Sequence, residues 1–222
     1  MIPRSLKYDH VVFDLDGTLI DSRVDLAAAV NRMLRTLGLP SLTTETVTRY
    51  VGEGARKLVE RALGADQAHQ VDRALPLFWE FYSAHLLDHT RLYPGVAHLL
   101  STLSEWRVTL SVLSNKPVTM SRAILDGLEV LPFFRAVLGG DSLATRKPDP
   151  AGVKHLRSLT NTSRDRMLLV GDSMIDVQTA RAAGVLFCGV AWGFAPGDLR
   201  AEHVEPIIND PVELLALVSV IP

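Results

Sequence analysis

Residues 11–21, VVFDLDGTLID, decide how the rest of the chain is read. Val11, Val12 and Phe13 form an apolar, largely β-branched run that predicts a buried strand. Asp14 and Asp16 follow, two positions apart, with Gly17 and Thr18 behind them. Side chains alternate along a strand, so positions i and i+2 project to the same side. Two carboxylates therefore point the same way at the strand's end, and like charges held that close are costly unless something neutralises them.

Downstream of this stretch, no strand is persuasive between Ile20 and Thr90. In DSRVDLAAAVNRMLRTLG, Leu26, Val30, Met33 and Leu37 share a helical face, Asp21 or Ser22 can cap the start, and Gly38 can end it. TTETVTRYVGEGARKLVERALG predicts one or two more helices, with Ala55, Leu58, Val59 and Ala62 on a stripe and Gly64 as the stop. LPLFWEFYSAHLLDH predicts another, entered at Pro76, with Phe78, Phe81, Tyr82 and His85 at helical spacing. From LYPGV onward the rhythm changes. VTLSVL precedes PVTMSRAILDGL, RAVLGG precedes PAGVKHLRSL, and RMLLVG precedes MIDVQTARAAG; then come VLFCGVAW and PIIND before PVELLALV. Strands alternating with helices predict a parallel sheet covered on both faces, and the first strand should belong to it. The expected organisation is an α/β core of 1–17 and 91–222, a Rossmann-like doubly wound parallel sheet, interrupted by an all-helical cap of 18–90.

The totals narrow the function classes. The 222 residues are enough for a sizeable core, and 47% hydrophobic with 22% charged residues is ordinary for a soluble globular protein. A net charge of −2 lacks the basic excess of a nucleic-acid binder. The single cysteine, Cys188, excludes an internal disulfide framework and reads as a small buried hydrophobe in VLFCGV. MIPRSLKYDH shows no apolar leader core, and no apolar run reaches membrane-spanning length. The expectation is a cytoplasmic protein.

Ligands of open α/β sheets bind at the carboxyl ends of the strands. Four such ends carry polar groups here: Asp14 and Asp16; Ser114, Asn115 and Lys116 in VLSNK; Lys147 in RKPDP; and Asp172 and Asp176 in GDSMID. Each alone has a bland explanation, as a turn residue, a solvated lysine or a helix cap. Together they make chemical sense. Four carboxylates do not converge without a cation, and an all-oxygen set that leaves room for waters suits Mg²⁺. With Lys147 and the Ser114 hydroxyl added, the set suits a phosphoryl group.

These motifs, DLDGT, SN, KP and GDSMID, resemble the four motifs of the haloacid dehalogenase-like hydrolase superfamily, and the helical insert resembles its C1 cap. DLDGTLIDS, YVGEGARKLVERAL, YPGV, SNKP and GDSMIDVQTARAAG together resemble the phosphoglycolate phosphatases within it. The resemblance implies a Mg²⁺-dependent phosphatase in which Asp14 is the nucleophile. Asp16 would protonate the leaving oxygen and then deprotonate water. It implies a metal held by the carboxylates of Asp14 and Asp172 and the backbone carbonyl of Asp16, with Asp176 supporting the site. Ser114, standing where many relatives have threonine, would bind the phosphoryl oxygens with the Asn115 backbone. Lys147 would hold Asp14 and the phosphoryl group in line, and Thr18 would help orient Asp16. Asp16 itself favours phosphate chemistry over carbon–halogen cleavage. Among cap residues, Gly52, Glu53, Gly54 and Arg56 are candidates to face the site; Arg56 either pairs with a substrate carboxylate or is a solvated helix residue. AWGF (191–194) resembles a loop near the active site of relatives, or merely packs against the core. The implied partner is a small phosphorylated metabolite, with no nucleic acid and no membrane, bound by a monomer or homodimer.

Other readings fare less well. GDSL (140–143) lacks the position and the Asp-x-x-His partner of the serine esterase motif. GEGARK lacks the third glycine of a dinucleotide fingerprint, and His85 and His89 lack the glutamate of a zinc helix. A phosphatase of the same superfamily for another small phosphate, such as a sugar phosphate or pyrophosphate, and a phosphomutase would share all four motifs. A phospho-accepting signalling domain needs neither Asp16 nor a cap, and a binding protein derived from this fold would be expected to have lost a catalytic aspartate.

Overall fold

The computed structural model describes residues 6–219; residues 1–5, where the N-terminal stretch read for a leader begins, and 220–222 lie outside the described residues. The chain opens with β1 (His10–Phe13), all four of whose residues are buried. The turn after it is pinned by Ile20 N–H donating to the Leu15 carbonyl (3.1 Å) and Gly17 N–H donating to the Ile20 carbonyl (2.9 Å). Two compact units follow from contacts within the chain. One comprises the residues up to Ile20 with those from Leu92 onward, and the other is Asp21–Arg91. The first of these boundaries lies after Ile20, and Leu19 and Ile20 are buried in the turn.

The segment between the boundaries runs from β2 (Ile20–Asp21) through α1 (Arg23–Thr36), α2 (Thr44–Thr48), α3 (Ala55–Leu63) and α4 (Val71–Ala84) to β3 (Arg91–Leu92). β2 and β3 form a two-stranded sheet. At the start of α1, Asp21 Oδ1 accepts from Arg23 N–H at 3.3 Å. The α1 face buries Leu26, Val30, Met33 and Leu34. Pro76 lies inside α4 rather than at its entry. The helix begins one and a half turns earlier because Val71 and Ala74 are buried on the same stripe as Phe78 and Tyr82. His85 lies beyond this helix and is exposed, paired with Asp88.

The remaining elements alternate: α5 (Val96–Glu105), β4 (Thr109–Leu113), α6 (Val118–Gly127), β5 (Ala136–Leu138), α7 (Ala151–Thr160), β6 (Met167–Gly171), α8 (Met174–Ala183), β7 (Leu186–Val190), α9 (Pro196–Ala201), β8 (Ile207–Ile208) and α10 (Glu213–Val218). They build a six-stranded sheet in the order β5-β4-β1-β6-β7-β8. Every pairing is parallel, with Val12 opposite Ser111 on one side and Leu169 on the other. Consecutive residues of β1 and β6 are buried, as expected for a sheet covered on both faces. On one face Val12 and Leu169 pack with Val153 and Leu156 of α7 and Ala180 and Ala183 of α8. From β1 the chain builds outward to β4 and β5, then returns to the other side of β1 for β6. The carboxyl end of β1 is therefore the point where the strand order reverses, the usual ligand position in such sheets.

Candidate active site

Four strand ends converge at that reversal. β1 delivers Asp14 and the turn carrying Asp16, β4 delivers Ser114, Asn115 and Lys116, the loop after β5 delivers Lys147, and β6 delivers Asp172 ahead of α8 with Asp176. Lys147 Nζ bridges Asp14 Oδ1 and Asp176 Oδ1, both at 2.7 Å, with only 3% of its side chain exposed. Asn115 Nδ2 donates to the Lys147 carbonyl at 3.0 Å and so ties the β4 turn to the lysine's loop. The other Asp176 oxygen, Oδ2, accepts from the Ser173 hydroxyl at 2.6 Å and from Ser173 N–H at 3.3 Å. Asp176 thus caps α8 and holds Lys147 at the same time.

Asp14, Asp172 and Asp176 are buried, and each offers a carboxylate oxygen within 4.8 Å of the others. Burial first, then the Asp176 and Asp16 charges, push the Asp14 carboxyl up to about 7 despite the opposing pull of Lys147. Burial, Asp14 and Asp176 likewise raise Asp172 well above the usual carboxylate range, against the Phe194 N–H that it accepts. Burial would lower Lys147, but the Asp14 and Asp176 carboxylates outweigh it and hold the ammonium above its ordinary value. Four carboxylates here face two ammonium groups, Lys147 and Lys116. The surplus negative charge, concentrated on buried oxygens, is what a divalent cation would offset, so the donor set fits a hard metal ion.

Asp172 is held from both sides by close backbone. Its Oδ2 accepts from Phe194 N–H at 2.6 Å. A methyl group added at Gly193 would lie 2.2 Å from Asp172 Cβ, and one at Gly17 2.2 Å from its Oδ2. Gly17 also has φ +85°, a conformation that glycine adopts without strain. Trp192 Nε1 donates to the Thr18 carbonyl at 3.1 Å, so the AWGF loop both packs on the turn and holds a carboxylate. The Thr18 hydroxyl is buried and makes no hydrogen bond among the described residues. Ser114 Oγ accepts from Lys116 N–H at 3.2 Å, which leaves its O–H available to donate.

Asp16 is engaged by a residue to which the sequence reading gave no role. Lys116 Nζ lies 2.7 Å from Asp16 Oδ1, with side-chain exposures of 5% and 11%. Its only sequence signal is its place two residues after Ser114 at a strand end, where a turn lysine is ordinarily solvated. Within AWGF, Gly193 and Phe194 contribute through backbone atoms, and Ser173 contributes through the α8 cap, so residue type alone marks none of the three. Arg56 belongs to the helical unit. Its guanidinium is paired with Asp72 at 2.8 Å and Glu60 at 3.4 Å within the helical unit.

The sequence profile of the haloacid dehalogenase-like hydrolases matches residues 11–190, which takes in every side chain of this cluster. The chain belongs to the haloacid dehalogenase-like hydrolase family. Curated relatives include a phosphoglycolate phosphatase of Pseudomonas putida KT2440, 43% identical over 92% of this chain and 78% of that protein. Another, from Nitrosospira multiformis, is 39% identical over 92% of this chain and 94% of its own. A crystal structure described as that of a predicted phosphoglycolate phosphatase from Haemophilus somnus superposes with a TM-score of 0.89. It is 30% identical and covers 95% of this chain and 98% of that one. Within this hydrolase, Cys188 is buried and its thiol is pushed up to about 12 by burial and then by Glu213, far from nucleophile chemistry.

Proposed function

We propose that this hydrolase cleaves 2-phosphoglycolate to glycolate and inorganic phosphate, using Mg²⁺ and an aspartyl-phosphate on Asp14. The observation that supports the chemistry is the buried Asp14 carboxylate, set 2.7 Å from Lys147 and beside Asp172 and Asp176. The substrate is inferred from the relatives that carry the phosphoglycolate phosphatase name.

In this reading Asp14 attacks phosphorus as the bond to the glycolate oxygen breaks, and Asp16 gives that oxygen its proton. Asp16 then removes a proton from the water that attacks the aspartyl-phosphate, and phosphate leaves with Asp14 restored. Lys147 keeps Asp14 and the phosphoryl oxygens aligned, and the Ser114 O–H with the Asn115 N–H donates to those oxygens. Asp14, Asp172 and the Asp16 carbonyl would hold Mg²⁺, with Asp176 fixing Lys147. When bound, the ion neutralises charge on the phosphoryl group. The same reading makes this a cytoplasmic protein, monomeric or homodimeric, acting on a small metabolite without nucleic acid or membrane. Among the described residues no helix is long and apolar enough to cross a membrane.

The test is steady phosphate release from 2-phosphoglycolate, sugar phosphates, nucleotides and pyrophosphate, with and without Mg²⁺. The expected result is highest kcat/KM for 2-phosphoglycolate and no detectable turnover for Asp14→Asn. Full activity in that variant would remove Asp14 as nucleophile; a sugar phosphate leading the panel would remove the substrate.

A further inference from the structure

The site contains a second buried lysine whose position suits the leaving group rather than the phosphoryl group. Lys147 serves Asp14 and Asp176, the residues that face phosphorus and support the site. Lys116 instead sits 2.7 Å from Asp16. Asp16 is the residue that, in the proposed reaction, must reach the ester oxygen of the leaving alcohol. A cation in contact with Asp16 is therefore a cation beside that oxygen. In 2-phosphoglycolate one methylene separates the ester oxygen from a carboxylate, so a carboxylate enters the same neighbourhood whenever Asp16 is in place to protonate. Leaving that anion without a cation beside the buried carboxylates of Asp14, Asp172 and Asp176 would be costly. Lys116 has three donors on one ammonium and can hold Asp16 and a substrate carboxylate together.

The backbone supports this placement. Lys116 N–H donates to Ser114 Oγ at 3.2 Å, and the Lys116 carbonyl accepts from Gly140 N–H at 2.9 Å, so the lysine springs from a turn fixed at both ends. A methyl group at Gly139 would fall 2.6 Å from that carbonyl, a measure of how tightly the neighbouring loop presses on it. The ammonium is thus held in position before substrate arrives, which lowers the entropic cost of using it. Arg56, the sequence-based candidate for a carboxylate partner, is engaged by Asp72 and Glu60.

We infer that Lys116 is the specificity-determining cation of this site, pairing with Asp16 and with the carboxylate of a short phosphorylated hydroxy acid. The inference rests on the proposed phosphatase reading and adds to it the residue that selects an acidic leaving group. Its test compares 2-phosphoglycolate with 2-hydroxyethyl phosphate, which has the same skeleton with CH₂OH in place of the carboxylate. Wild type, Lys116→Met and Lys116→Arg are assayed on both, with thermal unfolding as a check on folding. Lys116→Met is expected to lose about 30-fold or more of the kcat/KM preference for 2-phosphoglycolate, chiefly through KM, as for truncation of one partner of a buried charge pair. Lys116→Arg should recover part of that preference. An equal fall on both esters would mean that Lys116 only positions Asp16, and an unchanged preference would mean that it does not touch the leaving group; either overturns the inference. If the wild type itself shows no preference between the two esters, the phosphoglycolate reading fails instead. A misfolded Lys116→Met would show in the unfolding trace, and the inference then stands or falls on whether Lys116→Arg shifts the preference.

Discussion

Asp14 binds protons more tightly in the folded chain than in the unfolded one, and this makes stability depend on pH. Its carboxyl sits near 7 against an ordinary 3.8. Between those values the folded protein keeps a proton that the unfolded chain has released, so stability falls as pH rises from about 4 to about 7. The loss is on the order of 4 kcal/mol for a shift of this size. In a chelating buffer, Asp14→Asn should therefore be more stable than wild type at pH 8, with the difference shrinking toward pH 4. Urea unfolding at the two pH values checks this, and a difference that ignores pH would contradict it. Divalent cation should return the lost stability to the wild type by binding the ionised form. Gly193 gives a second residue-scale prediction, because a methyl there meets Asp172 Cβ at 2.2 Å. If Asp172 holds Mg²⁺ as in the proposed reaction, Gly193→Ala should raise the Mg²⁺ concentration for half-maximal activity about tenfold or more, as for other changes that reorient a ligand. An unchanged Mg²⁺ requirement would mean that Asp172 is not displaced. At this scale the sequence was legible where a side chain joins the cluster directly. Asp14, Ser114, Lys147 and Asp172 are marked by type and by strand-end position. Phe194 and Gly193 act through an N–H and through the absence of a side chain, and neither leaves a chemical signature in the residue type.

At the scale of elements, His10 joins three of them. Its Nδ1 lies 3.0 Å from Thr160 Oγ1 on α7 and its Nε2 2.9 Å from Ser111 Oγ on β4. Burial lowers its pKa from 6.5 to about 4. Below pH 6.5 the unfolded chain takes up a proton that the folded one refuses until about pH 4, so stability is lost as pH falls through that window, by about 3 kcal/mol. This runs opposite to the Asp14 effect over the same range. The metal-free wild type should therefore show a flatter pH profile than either single variant, with His10→Gln losing the acid-side decline. Equilibrium unfolding between pH 4.5 and 7.5 is the measurement, and a His10→Gln profile parallel to wild type would refute the assignment. The strands were readable because runs such as MLLVG and TLSVL are apolar and bounded by turn residues. α4 was less so. Proline is a common helix-start signal, but here the burial of Val71 and Ala74 carries the helix through Pro76.

At the scale of the molecule, the helical unit is closed on itself by Asp25. This buried carboxylate accepts from His89 N–H at 3.0 Å, from Thr90 N–H at 2.7 Å and from the Thr90 hydroxyl at 2.7 Å, joining the start of the unit to its end. Asp25→Ala would strand those donors in the interior at a cost of about 3 kcal/mol. The expected result is a Tm lower by roughly 6–10 °C, with kcat at 25 °C retained. An unchanged Tm would show that the donors find water. The existence of an insert was legible from the switch between helical and alternating periodicity. Its closure was not, because Asp25 reads as an ordinary polar residue on α1 and its partners lie 64 and 65 positions away.

That closure has a bearing on how the chain can be re-engineered. β2 and β3, the strands by which the insert leaves and returns, are neighbours in their own small sheet, and Asp25 fastens the insert's first helix to its last residues. The insert therefore has adjoining ends and its own internal fastening, the two properties that a transplantable cassette needs. A foreign helical insert spliced between Ile20 and Leu92 would have to bridge only adjacent strands, so the insert can be exchanged by grafting while the strand ends that carry Asp14, Ser114 and Asp172 stay as they are.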